Sequence, residues 1–231
     1  VVSFTCKALT IQNTKAQYLV DIAFEVRHSM AIVGQSGSGK SLTLKALLGM
    51  TPKALHVHME YDAPFVLNRG QTVAFVPQNP FTALSPLTRI KDQFFHQEAS
   101  RFLEKVELDS TLLERYPPEL SGGQLQRVVI AMALAHAPKL VLMDEPTTAL
   151  DASTRNFVLK MIKTLQGELG FLMLFVTHDM HSAGAVCEEI AILKDGVIVE
   201  RGATKAVLTS PKHAYTKKLL EAGFANRGFR Q

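Results

Sequence analysis

The chain has 231 residues, of which 47% are hydrophobic and 20% charged, the composition of a globular domain able to bury its own core. That excludes a disordered tail, a collagen-like rod and a disulfide-dense scaffold, and the longest wholly apolar runs, at 128–135 and 171–176, fall far short of the roughly 18 residues of a membrane-spanning helix. The formal net charge of +4 reads as a solvated basic surface, compatible with an anionic partner without requiring one.

In chain order, segments 4–11 and 19–26 read as strands joined by a polar turn with no helix between them, the start of a small antiparallel sheet. Short runs rich in Val, Ile and Leu follow at 30–33, 73–76, 140–143, 172–176 and 190–193. They are too brief for helices and too uniformly apolar for a half-exposed strand, so they read as buried parallel strands. Helical patterns lie at 41–48, 124–135, 153–169 and 180–187, and this alternation predicts an α/β fold with a mostly parallel sheet layered by helices. From 79 to 137 no clear strand occurs, and Pro80, Pro86, Pro117 and Pro118 punctuate helical pieces such as 90–106. The expected organisation is one domain over 1–231, with a core of 1–78 and 138–231 and an inserted helical subdomain at 79–137.

The ends of the apolar strands carry the chemistry. Gly34-Gln35-Ser36-Gly37-Ser38-Gly39-Lys40-Ser41 fits G-x-x-x-x-G-K-[ST] between a strand and a helix, the context a phosphate loop requires. Its glycines let backbone N–H groups curl around phosphate oxygens, Lys40 reaches the β and γ phosphates, and Ser41 offers a hydroxyl to Mg²⁺. A Gly/Ser-rich turn without ligand is the bland alternative. The strand at 140–143 delivers Asp144 and Glu145 to its carboxyl end. Asp144 suits the magnesium shell, and Glu145 suits a general base that polarises the attacking water. Gln78 and His178 close two further strands, where ligands of open α/β sheets collect. Gln78 could touch the metal or the water, and His178 the γ-phosphate; each taken alone also reads as an ordinary loop residue. Finally, Leu120-Ser121-Gly122-Gly123-Gln124 precedes a long apolar helix and reads as a second anion-binding helix start. One γ-phosphate does not need two cradles from one chain. A head-to-tail pair of ATPase chains, each covering its partner's nucleotide, is the economical solution, and a plain glycine-rich helix cap is the alternative.

These residues together resemble the ATP-binding-cassette family over nearly the whole chain, in the family's order: the phosphate loop Gly34 to Ser41, the Q-loop Gln78, the signature Leu120 to Gln124, the Walker B run ending at Asp144, Glu145, the D-loop Thr147-Thr148-Ala149-Leu150-Asp151 and the switch His178. The resemblance implies a P-loop NTPase (RecA-like) core, ATP bound at Gly34 through Ser41 and Leu42, Mg²⁺ at Ser41, Asp144 and Gln78, catalysis by Glu145, His178 and Gln78, and a partner's ATP met by Ser121, Gly122, Gly123 and Gln124. Asp151 would lie at the dimer interface. Within the family the chain resembles the ATPase subunits of peptide and nickel importers, through Gln78-Asn79-Pro80, Tyr116-Pro117 and above all Ser210-Pro211-Lys212-His213-Ala214-Tyr215-Thr216 with Leu219-Leu220. Such subunits pair with a second, similar or identical ATPase and drive two transmembrane permease subunits fed by a solute-binding protein, at the cytoplasmic face of the membrane. The chain departs from the family at the shortened turn Val26-Arg27-His28-Ser29, and Tyr18 lies near the segment where relatives stack an aromatic on adenine without falling clearly on that position.

A nucleic-acid-associated ATPase of the repair or chromosome type is an alternative, as is an exporter ATPase. The former needs a long coiled coil, yet only about 80 residues without sustained heptads separate Ser41 from Ser121, so no nucleic acid is expected. A third alternative, a module that holds ATP without turning it over, is disfavoured by Glu145 and His178. His56 and His58, two apart, read as one face of an exposed strand in preference to a metal site. Lys205, Lys212, Lys217, Lys218, Arg227 and Arg230 read as a solvated face. Cys6 and Cys187 show no CxxC spacing, and no signal segment opens the sequence; the expectation is a reducing compartment inside the cell.

Overall fold

The structure is a computed structural model that describes residues 2–94 and 98–225, and the chain packs as two compact units, Val1–Leu67 with Leu172–Gln231 and Asn68–Phe171. In the first unit, β1 (Phe4–Gln12) pairs antiparallel with β2 (Tyr18–Val26) on one side and with β4 (His56–Asp62) on the other. Phe4 and Cys6 are buried on one parity of β1, Leu9 and Ile11 on the other. The register shifts after Cys6 in both pairings explain this, because one extra residue turns the following side chains to the opposite face. The buried Cys6 thiol is pushed up to about 12 by its burial, so it stays a neutral core group. β4, absent from the sequence reading except as the exposed strand of His56 and His58, is indeed exposed at both histidines. Among the described residues no group of three or more His, Cys, Asp or Glu side chains is placed to hold a metal ion.

The first unit also holds β3 (Ser29–Val33), flanked in parallel by β7 (Leu172–Thr177) and β8 (Glu189–Lys194), with β9 (Val197–Ala203) antiparallel at the edge of β8. Met30 to Val33, Met173 to Val176 and Ile190 to Leu193 are wholly buried, which is why these strands read as unbroken apolar runs. α1 (Lys40–Leu47) follows β3, and α6 (Met180–Val186) follows β7. β9, α7 (Thr204–Thr209) and α8 (Ala214–Ala225) complete the unit beyond what the sequence patterns marked. Arg227 and Arg230 lie outside the described residues.

In the second unit, β5 (Val73–Val76) pairs in parallel with β6 (Leu140–Asp144), and Val76 sits opposite Met143. Between them, among the described residues, come α2 (Ile90–Gln93), α3 (Ala99–Lys105), three short 3₁₀ segments and α4 (Gly122–Leu134); α5 (Ala152–Leu169) follows β6. No strand lies between residues 79 and 137 among the described residues. The helical piece expected over 90–106 is corrected: α2 stops at Gln93, and Phe94 adopts φ −77°, ψ 108° to bury its ring at 7% exposure, so burial overrides the local helical pattern. Residues 95–97 of that piece lie outside the described residues. No described helix is long and apolar enough to cross a membrane.

Candidate functional site

The first unit carries the phosphate loop. β3 buries its whole length and ends at Val33, which pairs with Thr177 at the end of β7, so Gly34 and His178 follow neighbouring strand ends. The loop needs its glycines for different reasons. Gly37 and Gly39 take φ of 82° and 106°, where a Cβ is strained, and a Cβ on Gly34 would strike the carbonyl oxygen of Leu193. The loop is therefore pressed against the end of β8. The turn after β8 holds it further, because Gly196 N–H donates to Ser38 O at 3.1 Å. Lys40, buried at 5% exposure, lays its Nζ on its own loop, donating to Gly34 O at 2.8 Å and Gln35 O at 2.9 Å. Ser38 Oγ is buried with no hydrogen-bond partner among the described residues. A wound backbone, a buried ammonium and an unsatisfied hydroxyl form a cradle whose chemistry fits a polyphosphate.

His178 is exposed, and the next residue starts a helix. Asp179 caps α6, accepting from His181 N at 3.0 Å, Ser182 N at 3.2 Å and Ser182 Oγ at 2.6 Å. Burial pushes the Asp179 carboxyl up, but the Ser182 hydroxyl and the two backbone N–H groups outweigh it and hold the group below the usual aspartate range. It stays charged at the helix start, where negative charge is favoured.

The second unit carries the carboxylates. Asp144, 9% exposed, ends β6, and Glu145 follows at φ +46°, a left-handed conformation that costs a residue with a Cβ about 1–2 kcal/mol. Thr148 Oγ1 donates to Glu145 Oε2 at 2.9 Å, and Gln78 Nε2, from the loop after β5, approaches the same oxygen at 3.5 Å. The strained turn thus presents a carboxylate steered by a D-loop threonine and the Q-loop glutamine. Thr148 is a contact the sequence reading did not single out as a partner of Glu145.

The signature loop starts α4 with a reciprocal cap: Ser121 Oγ accepts Gln124 N–H at 3.2 Å, and Gln124 Oε1 accepts Ser121 N–H at 2.9 Å. A Cβ on Gly123 would lie 2.6 Å from Thr154 Cγ2, whereas one on Gly122 would meet nothing within 4 Å. Asp151 caps α5, its Oδ1 accepting Ser153 N at 3.0 Å, Ser153 Oγ at 2.6 Å and Thr154 N at 3.0 Å. The Ser153 hydroxyl first, then the Thr154 hydroxyl and the two backbone N–H groups, hold its carboxyl well below the usual aspartate range. Thr154 joins the two loops, touching the signature with its methyl and the D-loop cap with its N–H.

Residues 19–148 match the protein family described as ABC transporter. The chain belongs to the ABC transporter family. Over 94% of its length this ABC chain is 35% identical to the metal-staphylopine import system ATP-binding protein CntD of Staphylococcus aureus, 91% of which is covered. It is 33% identical to the glutathione import ATP-binding protein GsiA of Salmonella choleraesuis, over 91% of this chain and 39% of that longer protein. Among solved structures, a dimeric ATP-binding cassette in a post-hydrolysis state with ADP and Pi superposes with a TM-score of 0.72 at 27% identity, covering 87% of this chain and 98% of that one. The fold is that of P-loop NTPases, with an antiparallel front sheet and parallel strands, and the ABC chain is an ATP-binding ATPase.

Proposed function

We propose that this ABC ATPase is the ATP-hydrolysing subunit of an importer, working as a head-to-tail pair with a second, identical or similar ATPase and driving two transmembrane permease subunits at the cytoplasmic face of the membrane. A solute-binding protein feeds the permeases indirectly. The cargo class is a short peptide or a chelated metal such as nickel; a metal-staphylopine system and a glutathione system among the relatives support that class, and the importer reading over an exporter or a nucleic-acid ATPase.

In this reading the loop Gly34 to Leu42 binds the polyphosphate through its N–H groups. Lys40 exchanges the carbonyls of Gly34 and Gln35 for phosphate oxygens. Ser41, Asp144 and Gln78 offer a hydroxyl, a carboxylate and an amide oxygen, a hard oxygen set of the kind Mg²⁺ selects; when bound, the ion neutralises phosphate charge. Glu145 takes up the proton of the attacking water, His178 donates to the γ-phosphate, and the partner chain's nucleotide meets Ser121, Gly122, Gly123 and Gln124, with Asp151 at the interface. The observation that carries the reading is the Glu145 carboxylate, presented by a strained turn and steered by Thr148 and Gln78. Replacing Glu145→Gln in the assembled complex is expected to lower ATP turnover by about 10²- to 10⁴-fold while ATP binding persists. Turnover at the parental rate would show that Glu145 is not the base.

A further inference from the structure

One segment reaches the phosphate loop from far along the chain. After α7 the backbone turns through residues 210–213 into α8, and this turn is anchored to β9: Glu200 accepts the N–H groups of Lys212 at 2.8 Å and His213 at 3.0 Å. His213 Nδ1 then accepts the N–H of Tyr215 at 3.1 Å. Three hydrogen bonds thereby seat the first turn of α8. The seat places the half-buried Tyr215 ring 5.7 Å from Lys194 Nζ and its hydroxyl 3.1 Å from the N–H of Gln35, which donates to it.

The N–H that Tyr215 receives belongs to the Gly34–Gln35 peptide. The carbonyl of that same peptide, Gly34 O, accepts Lys40 Nζ at 2.8 Å. A peptide unit is planar, so holding its N–H fixes the direction of its C=O. One plane is gripped at both ends, by a phenol at one and by the phosphate-loop ammonium at the other. Gln35 is an exposed residue, and the phenol accepts its N–H.

We propose that Tyr215 is a positioning residue for the phosphate loop: its hydroxyl sets the Gly34–Gln35 plane, and through it the resting place of Lys40, so that the seating of α8 governs nucleotide affinity. This rests on the nucleotide-binding reading above and adds to it a residue 180 positions downstream of the loop.

The test is Tyr215→Phe in the full chain, which removes the hydroxyl and leaves the ring beside Lys194. Without nucleotide, amide hydrogen exchange at Gln35 is expected to accelerate by about tenfold as its protecting bond is lost. Binding of a fluorescent ATP analogue is expected to weaken about three- to tenfold, the worth of one neutral hydrogen bond. In the assembled complex KM rises in the same proportion while kcat stays within about twofold, because the phenol touches no reacting atom. Glu200→Ala, which loosens the seat and keeps the hydroxyl, is expected to move the same quantities in the same direction by less. If Tyr215→Phe leaves Gln35 exchange and analogue affinity at parental values, or only lowers the melting temperature, the proposal is wrong. A parental chain that binds no ATP sinks the nucleotide-site reading instead, and exchange at Gln35 still decides this one.

Discussion

α1 and α4 both begin behind glycine-rich loops, yet their first turns are finished in different ways. α1 is preceded by Gly39, at φ 106° and with no side chain to cap with, and its loop is shaped by left-handed glycines and by pressure from the end of β8. α4 is preceded by Ser121 at φ −65°, and Ser121 and Gln124 close a capping box on each other. The first helix start is a cradle built from backbone; the second is a self-capped helix whose leading N–H groups, at Gly122 and Gly123, have no partner within the helix by geometry. The difference separates a loop wound on itself, of a shape that suits an anion, from a capped helix end whose leading N–H groups are left for a partner from elsewhere. The division of labour proposed above, in which a chain holds its own nucleotide with one and touches its partner's with the other, rests on that difference.

The cradle is tested first by Lys40→Ala, which is expected to weaken ATP binding by about 100-fold, the worth of a charge-assisted contact, and to lower the melting temperature by about 2–4 °C because the carbonyls of Gly34 and Gln35 lose their buried donor; equilibrium binding beside a thermal melt reads both. Gly122→Ala addresses the other helix start. A Cβ there meets nothing, so folding stability should hold or rise, while turnover of the assembled pair should fall by up to about 100-fold because the methyl intrudes where a partner's phosphate must come close. Unchanged turnover would make the signature loop a cap and nothing more. Gly123→Ala separates packing from contact at the adjacent position. Its Cβ would strike Thr154 Cγ2, so a loss of about 1–3 kcal/mol is expected in denaturant unfolding, with recovery when Thr154→Ser removes that methyl.

A third helix start, at α6, gives the smallest effect. Asp179 is held below its usual range, so its contribution to stability is present above the unfolded aspartate value and lost as pH falls through the lower folded value. Asp179→Ala should therefore lower the melting temperature by about 2–4 °C at pH 7, a gap that closes below about pH 4.

The strands around the site were legible because buried parallel strands are short unbroken apolar runs, and the polar residues just beyond them, from Gly34 to Ser41, Gln78, Asp144, Glu145 and His178, stand out by contrast. Three things were not legible. The break after Gln93 depends on where Phe94 finds burial, which no local pattern encodes. β9, and β4 beyond the exposed face read at His56 and His58, are mostly exposed or half-buried edge strands, without the length of buried apolar run that marks the interior ones. Gly196 and Tyr215 reach the phosphate loop through contacts between residues more than 150 positions apart, and spacing along the chain carries no trace of them. The Asp195-Gly196 pair marks a turn after the run at 190–193, without saying what the turn meets; for Tyr215 the only hint was the motif around it.

The most direct measurement is the structure of the Glu145→Gln chain assembled with its partner and loaded with Mg–ATP. The expected result places Ser121 Oγ and the Gly122 N–H of one chain within about 3 Å of γ-phosphate oxygens whose nucleotide rests on Lys40 of the other. A loaded assembly in which those oxygens meet only the 34–41 loop, with Ser121 and Gly122 facing solvent, would contradict it.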